Sequence, residues 1–402
     1  MVSIKENQLF RQKPKVNFQN KYTPPGGVFF IFQGAVATGY LISVVHLFVL
    51  CYNKRKLILL LKCFVEQECG RMVVGKWKKW MVAGAIGLCI AGCMSGCGKE
   101  SETAKGDGHL KVGIVQIVQH PALDEANKGF IDALEERGLK DKVDIDQQNA
   151  QGDQSNLRSI ANRFVSGKYN LICAISTPAA QAMANATAEI PIICTAISDY
   201  ESAKLMKSEK SPDSNITGTN DRGPLEKQLL LIKEITPNIK KLGTIYNSSE
   251  INSVIQAKKL KEACEPLGIE LVELTVNSVN DVQQVAEGFL GGKVDAVFIP
   301  TDNIIASSIP TVMAIADKEK IPVYGAEVGH VRSGVLASES ISFYDIGHKA
   351  GLMAADILEG KKQIKDIPVE GADKSGLYIN KAEMERLGIK IPQAVLERAE
   401  LI

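Results

Sequence analysis

One pattern in this chain runs its course and then starts again, and it limits the folds open to the sequence. Between Leu110 and Ile197 short apolar runs (Leu110–Val118, Val143–Gln148, Tyr169–Ser176, Ile190–Ile197) alternate with helical stretches over Ala122–Arg137, Asp153–Ser166 and Pro178–Ala188. The alternation restarts with runs at Lys241–Tyr246, Ile269–Val276, Val294–Ile299 and Ile321–Gly325, separated by helical stretches over Ser253–Leu267, Asp281–Phe289 and Asn303–Lys318. Strand–helix alternation builds a parallel sheet with helices on its faces. The halves also share detail: Asn170–Thr177, a helix and Ile190-Pro191-Ile192 are echoed by Val294–Asp302, a helix and Ile321-Pro322-Val323. The expected fold is α/β, two doubly wound parallel-sheet lobes joined by a multi-strand hinge, with a cleft between them. Ligands of such sheets sit beyond the carboxyl ends of the strands, so two facing lobes make a hinged clamp. Two independent nucleotide-binding domains would need G-x-G-x-x-G after a strand or G-x-x-x-x-G-K-[ST], and neither occurs.

Charge divides the chain unevenly. Residues 1–96 hold 13 basic and 3 acidic side chains, leaving 34 basic and 43 acidic in the remainder. A body that acidic, with no basic run, argues against nucleic acid as a partner. Six cysteines (51, 63, 69, 89, 93 and 97) precede residue 98, and only Cys173, Cys194 and Cys264 lie beyond it. An odd count with no C-x-x-C suggests neither a disulfide framework nor zinc, and the scattered histidines give a metal site little support. No cofactor is expected.

Residues 72–97 read as a targeting segment. Lys76, Lys78 and Lys79 precede the uncharged run Trp80–Ile90, which is short for a bilayer span and of signal-peptide length. Ile90-Ala91-Gly92-Cys93 and Met94-Ser95-Gly96-Cys97 both resemble the bacterial lipobox, whose cysteine becomes lipidated. Ile90 favours Cys93, while the polar spacer after Cys97 favours Cys97. Residues 98–108 form a polar tether. Upstream, Val28–Tyr52 is apolar and long enough to span a membrane. Because a signal peptide works at an N-terminus, residues 1–71 are read as an over-extended start, with Met72 or a neighbour as initiator, in preference to a transmembrane segment. The lobes are expected at 109–220 plus 344–362 and at 221–343 plus 363–402.

Residues just past the strands are the candidates for a site. Thr177 suits an N-cap and Pro178 the first helical position, which leaves amide donors and two hydroxyls, Ser176 and Thr177, as an anion site. A carboxylate is the natural guest, although Thr177 capping its own helix explains the same residues. Asn247, Ser248 and Ser249 cluster hydroxyls and donors after Tyr246. Asp302, followed by Asn303, stands where it either favours a helix dipole or pairs with a ligand ammonium. Asp199 and Asp221 are similar candidates, Glu327 a weaker one. Gln116 and His120 are taken with the residues that follow the first strand, and His120 reads as a turn residue.

Val112–Asp124, Asn149–Asp153, Thr177–Gln181, Tyr246–Ser253 and Pro300–Asn303 together resemble, in order from about Leu110 to Ile389, the ABC-transporter substrate-binding lipoproteins akin to tryptophan- and tyrosine-binding proteins. That resemblance implies a type I periplasmic-binding-protein fold with three interlobe crossings, the helix Tyr344–Glu359 returning to the first lobe, and no catalysis. It implies an extracytoplasmic, lipid-anchored monomer serving an ABC permease with a separate ATPase. By analogy Ser176, Thr177, Ser248 and Ser249 hold a ligand α-carboxylate, and an acid among Asp199, Asp221 and Asp302 holds its ammonium. Ser198–Glu201 and Asn220-Asp221-Arg222 depart from the family pattern, which leaves the ligand open between an aromatic amino acid and another small solute such as a sugar or nucleoside. An effector domain of a regulator shares this fold but needs a DNA-binding segment where the tether lies. An enzyme needs a nucleophile–base pair, and none stands out at the strand ends.

Overall fold

The strands form where β-branched and apolar residues run together, and their burial follows their place in a sheet. A computed structural model describes residues 109–402; the expectations for the leader, including Cys93 and Cys97, lie outside the described residues. The first lobe runs β1 (Leu110–Gln116), α1 (Pro121–Glu136), β2 (Val143–Asn149), α2 (Gln154–Ser166), β3 (Leu171–Ile175), α3 (Thr177–Ala186), β4 (Ile192–Ile197) and β5 (Ile216–Asn220). Its sheet has the order β2-β1-β3-β4-β5, parallel throughout. All five residues of β3 are buried, as a central strand covered on both faces requires, whereas edge strand β2 alternates.

The second lobe runs α4 (Leu225–Ile235), β6 (Lys241–Asn247), α5 (Ile251–Cys264), β7 (Glu270–Val276), α6 (Val282–Ala286), β8 (Ala296–Ile299), α7 (Asn303–Ser307), α8 (Ile309–Ala316), β9 (Val323–Gly325), α9 (Val328–Arg332) and β10 (Ala337–Ile341). After α10 (Phe343–Leu358) come β11 (Ser375–Ile379), α11 (Lys381–Leu387), α12 (Gln393–Leu396) and β12 (Ala399–Leu401). The second sheet has the order β12-β11-β10-β9-β8-β6-β7, with one antiparallel pair, β10–β11. The expected continuous helix 303–318 is broken at Ser308, because Pro310 lacks an amide hydrogen and crowds the preceding turn.

Chain crossings follow β5, β10 and the stretch before β11. Phe343, Ile346, Ala350 and Ala354 of α10 join the first lobe's core. Ile364, Ile367, Val369 and Ala372 pack there too, and the amide of Asn220 donates to the Glu370 carbonyl (2.8 Å). The third crossing therefore lies after residue 372, some way beyond the boundary expected at 363, because apolar residues hold that stretch on the first lobe.

Candidate ligand-binding site

Strand order marks where a site belongs. In each sheet the order reverses at one place, between β1 and β3 in the first lobe and between β6 and β8 in the second. A crevice opens beyond the carboxyl ends of strands at such a point. His120 follows β1 and Ser176-Thr177 follow β3; Glu250 and Asn252 follow β6, and Asp302-Asn303 follow β8. Asp221 follows β5, while Glu327 and His330 follow β9. All of these side chains are buried.

The buried groups fall into two sets. One is satisfied within the protein. Asp302 accepts from the amides of Asn247 (2.6 Å) and Ile305 (2.8 Å), joining the ends of β6 and β8 and capping α7. Glu250 receives the amide groups of Asn247, Asn252 and Asn303. Gln116 donates to Asp124 (2.9 Å) and accepts from Asn127 (3.2 Å). The other set has polar atoms with no partner in the protein: both ring nitrogens of His120 and His330, Ser176 Oγ, Thr177 Oγ1, Asp221 Oδ1, Asn252 Oδ1 and Glu327 Oε2. Buried polar atoms are nearly always hydrogen-bonded, so several unpaired ones at adjoining strand ends mark a site built for a guest.

Ser176 holds its place under strain. Its φ is +97°, a conformation that an L-residue adopts at a cost of about 1–3 kcal/mol, and such outliers gather at functional sites. Directly after it, α3 is ten residues long with proline in its first turn, so its first amides and positive dipole end face the same place.

Electrostatics divide the site into poles. No lysine or arginine is among the buried described residues. Burial pushes the Asp221 carboxyl up to about 6. Burial, then the neighbouring Asp221 and Asp302, drive Glu327 well above the usual carboxylate range. Glu250 is raised by burial and by Asp302, and Asp302 by burial. Burial lowers His120 to about 4 and, with His120 nearby, His330 to about 3. Asn303 lies close enough to oppose the shift of His120, although neither imidazole nitrogen makes a well-formed hydrogen bond. The histidines are therefore neutral donors or acceptors near pH 7.

The lobes touch across the cleft. Gln256 donates to Ser198 Oγ (2.9 Å) and accepts from the amide of Thr301 (3.0 Å). Lys259 reaches Asp199 (3.6 Å), and Arg332 reaches Glu125 (3.4 Å). Beside the polar groups lies a cavity of about 170 Å³ lined by Asp221, Leu225, Ile255, Phe298, Pro300 and Ala326, among others. Ser176 and Thr177 do not line it; Asp221 is the member it shares with the unpaired set.

The expected site residues separate accordingly. Ser176, Thr177 and Asp221 are each buried with a side-chain oxygen that has no partner in the protein. Ser248 and Ser249 are exposed and bonded within the second lobe, Ser248 donating to Asn277 after β7 (2.9 Å) and Ser249 to Asn247 in its own turn (2.7 Å). Asp199 sits half-buried at the rim, accepting from Ser202. Asn247, Asp302 and Asn303 brace the second lobe's strand ends. His120, read from sequence as a turn residue, and Glu327, read as a weaker candidate, carry unpaired atoms, as do Asn252 and His330, which the sequence did not single out and whose only signal is their place after a strand.

The chain is similar to known proteins over nearly all of its described length. The chain is 43% identical over 317 residues to a tyrosine-binding protein of Clostridioides difficile (strain R20291), covering 77% of this chain and 91% of that one. A solved Streptococcus pneumonia domain in complex with L-Trp is 39% identical, with a TM-score of 0.70 over 73% of this chain and 99% of that one. A ligand-free, open substrate-binding protein with adhesive properties from Clostridium difficile is 42% identical over the same shares, with a TM-score of 0.57. The family model for ABC transporter substrate binding proteins runs from residue 111 to 402, from the first strand of one lobe to the last of the other. Two lobes meeting over unpaired polar groups are what a capture protein needs, and the chain belongs to that family of ABC transporter substrate-binding proteins, which bind and do not catalyse.

Proposed function

We propose that the protein captures a zwitterionic amino acid, an aromatic one foremost, in the interlobe cleft. The observation that carries this reading is a pair of complementary poles. Ser176 Oγ and Thr177 Oγ1, unpaired at the N-terminus of α3, suit a carboxylate, and Asp221, unpaired where no buried base stands, suits an ammonium. The cavity beside Asp221, walled by Leu225, Ile255, Phe298 and Pro300, suits an apolar side chain. The ligands of the similar C. difficile and Streptococcus proteins support an aromatic one.

In this reading the chain is an extracytoplasmic lipoprotein, anchored through Cys93 or Cys97. It presents its ligand as a monomer to a permease driven by a separate ATPase. Isothermal titration of the full-length chain with L-tryptophan and L-tyrosine tests it. Saturable heat is expected from either or both. No heat from any amino acid, with binding of a pentose or nucleoside, overturns the ligand class and favours the other solutes that the fold accommodates.

A further inference from the structure

Two carboxyls are buried at strand ends: Asp221, expected in the second lobe but tied to the first by its amide, which donates to the Ile197 carbonyl (3.1 Å), and Glu327, after β9 of the second lobe. Asp221 lines the cavity, and Glu327 follows Ala326, which lines it too. Glu327 is 2% exposed, and neither its Oε2 nor Asp221 Oδ1 has a partner in the protein. The carboxyls are near enough that Asp221 adds to burial in holding Glu327 protonated. Arg222 and Lys259 line the same cavity, and the Arg222 charge opposes the rise of Asp221, but each also has a partner of its own. Arg222 pairs with Glu209 and donates to the Ser198 carbonyl, and Lys259 pairs with Asp199; Arg332, outside the cavity, pairs with Glu125. The nearest base, His330, stands 3.5 Å from Glu327 Oε2 but is fully buried.

The Glu327 backbone is fixed on both sides. The Ala326 amide donates to the Ile299 carbonyl (2.9 Å), and the Val328 amide to Ser340 Oγ (3.0 Å). A carboxyl so held cannot swing to water, and an unpaired carboxylate in such a place is costly unless something cationic meets it.

We infer that Glu327 is the second jaw of an ammonium clamp, taking the ligand's primary amine together with Asp221 of the opposite lobe. The inference rests on the amino-acid reading above and adds to it. Because the jaws belong to different lobes, the amine itself draws the lobes shut. A deaminated acid leaves both carboxyls unpaired and is rejected.

The test is titration of the full-length wild type, Glu327→Gln and Glu327→Asp with L-tryptophan and with its deaminated counterpart, 3-(indol-3-yl)propanoic acid. The wild type is expected to prefer the amino acid by about 100-fold or more, the scale set by leaving buried charged groups unpaired. Glu327→Gln is expected to narrow that ratio by about tenfold, and Glu327→Asp, which withdraws the charge by one methylene, by less. Without ligand, Glu327→Gln should melt no lower than wild type, since it keeps the shape of a carboxyl the fold holds protonated and spares the proton uptake that costs stability; if it fails to fold, the ratio of Glu327→Asp decides. A wild-type ratio in the folded variants overturns the clamp and leaves the amino-acid reading standing. Absence of amino-acid binding by the wild type overturns both.

Discussion

Burial lifts the Asp221 carboxyl to about 6 from its ordinary 3.8, against the opposing pull of Ser198 and Arg222. An acid raised on folding is protonated in the folded chain while already ionised in the unfolded one. The fold therefore weakens as pH rises between those two values, by about 1.4 kcal/mol for each pH unit crossed. Glu327, raised well above its ordinary 4.5, works in the same sense. His120 and His330, lowered from 6.5 to about 4 and about 3, work in the other, weakening the fold as pH falls below 6.5. Glu250, raised to about 8, and Asp302, also raised, add to the acids' side, so four acids outweigh two histidines and the melting temperature without ligand is expected to fall as pH rises from about 4.5 to 6. Ligand affinity runs the other way if Asp221 holds an ammonium. Kd is then expected to rise by up to about tenfold for each pH unit below 6. In Asp221→Asn that slope should flatten and binding should be weak at every pH; calorimetry across about pH 4.5–8 checks both.

The return helix α10 shows the same dependence on close approach at the scale of an element. It lies on α1 with almost no space between backbones. A Cβ at Gly347 would stand 2.0 Å from the Ala126 carbonyl oxygen, and one at Gly129 2.2 Å from that of Tyr344. Arg137 at the end of α1 is paired with Asp356 of α10 (3.0 Å) and with Glu359, which fixes the register. Gly347→Ala must therefore push the helices apart, with an expected loss of about 1–3 kcal/mol. Chemical denaturation should show it, with the Kd of the folded fraction within about twofold of wild type, because neither helix packs its Gly347 side against the site.

At the scale of the molecule, the proposed capture depends on how firmly the contacts between the lobes hold them together. Gln256 bridges them through a half-buried bond to Ser198, whereas the Lys259–Asp199 and Arg332–Glu125 pairs have well-exposed basic partners. Exposed pairs contribute little, and a half-buried hydrogen bond contributes about 1 kcal/mol. Gln256→Ala is accordingly expected to weaken binding about fivefold, chiefly through faster release. Lys259→Ala and Arg332→Ala should change it by less than about threefold. Stopped-flow release rates separate the cases; equal effects from all three would place the latch elsewhere.

Much of the architecture was legible in the sequence because it is written locally. Strand and helix periods, the restart at Lys241 and the Ser176-Thr177-Pro178 step each need only neighbouring residues to be read. The break at Ser308 also had a local cause in Pro310, although the apolar run through it masked the signal. Which strand-end residues belong together was not local. Asp302 and Asp221 look alike in sequence, yet one is consumed by two backbone amides and the other is left unpaired. Ser248 and Ser249 match Ser176 and Thr177 in type but face solvent. Sequence alone determined that there are two α/β lobes and where their strands end, because periodicity is a property of neighbours. Only the tertiary structure decided which side chains are buried without partners, because burial there arises where residues more than a hundred positions apart close on each other.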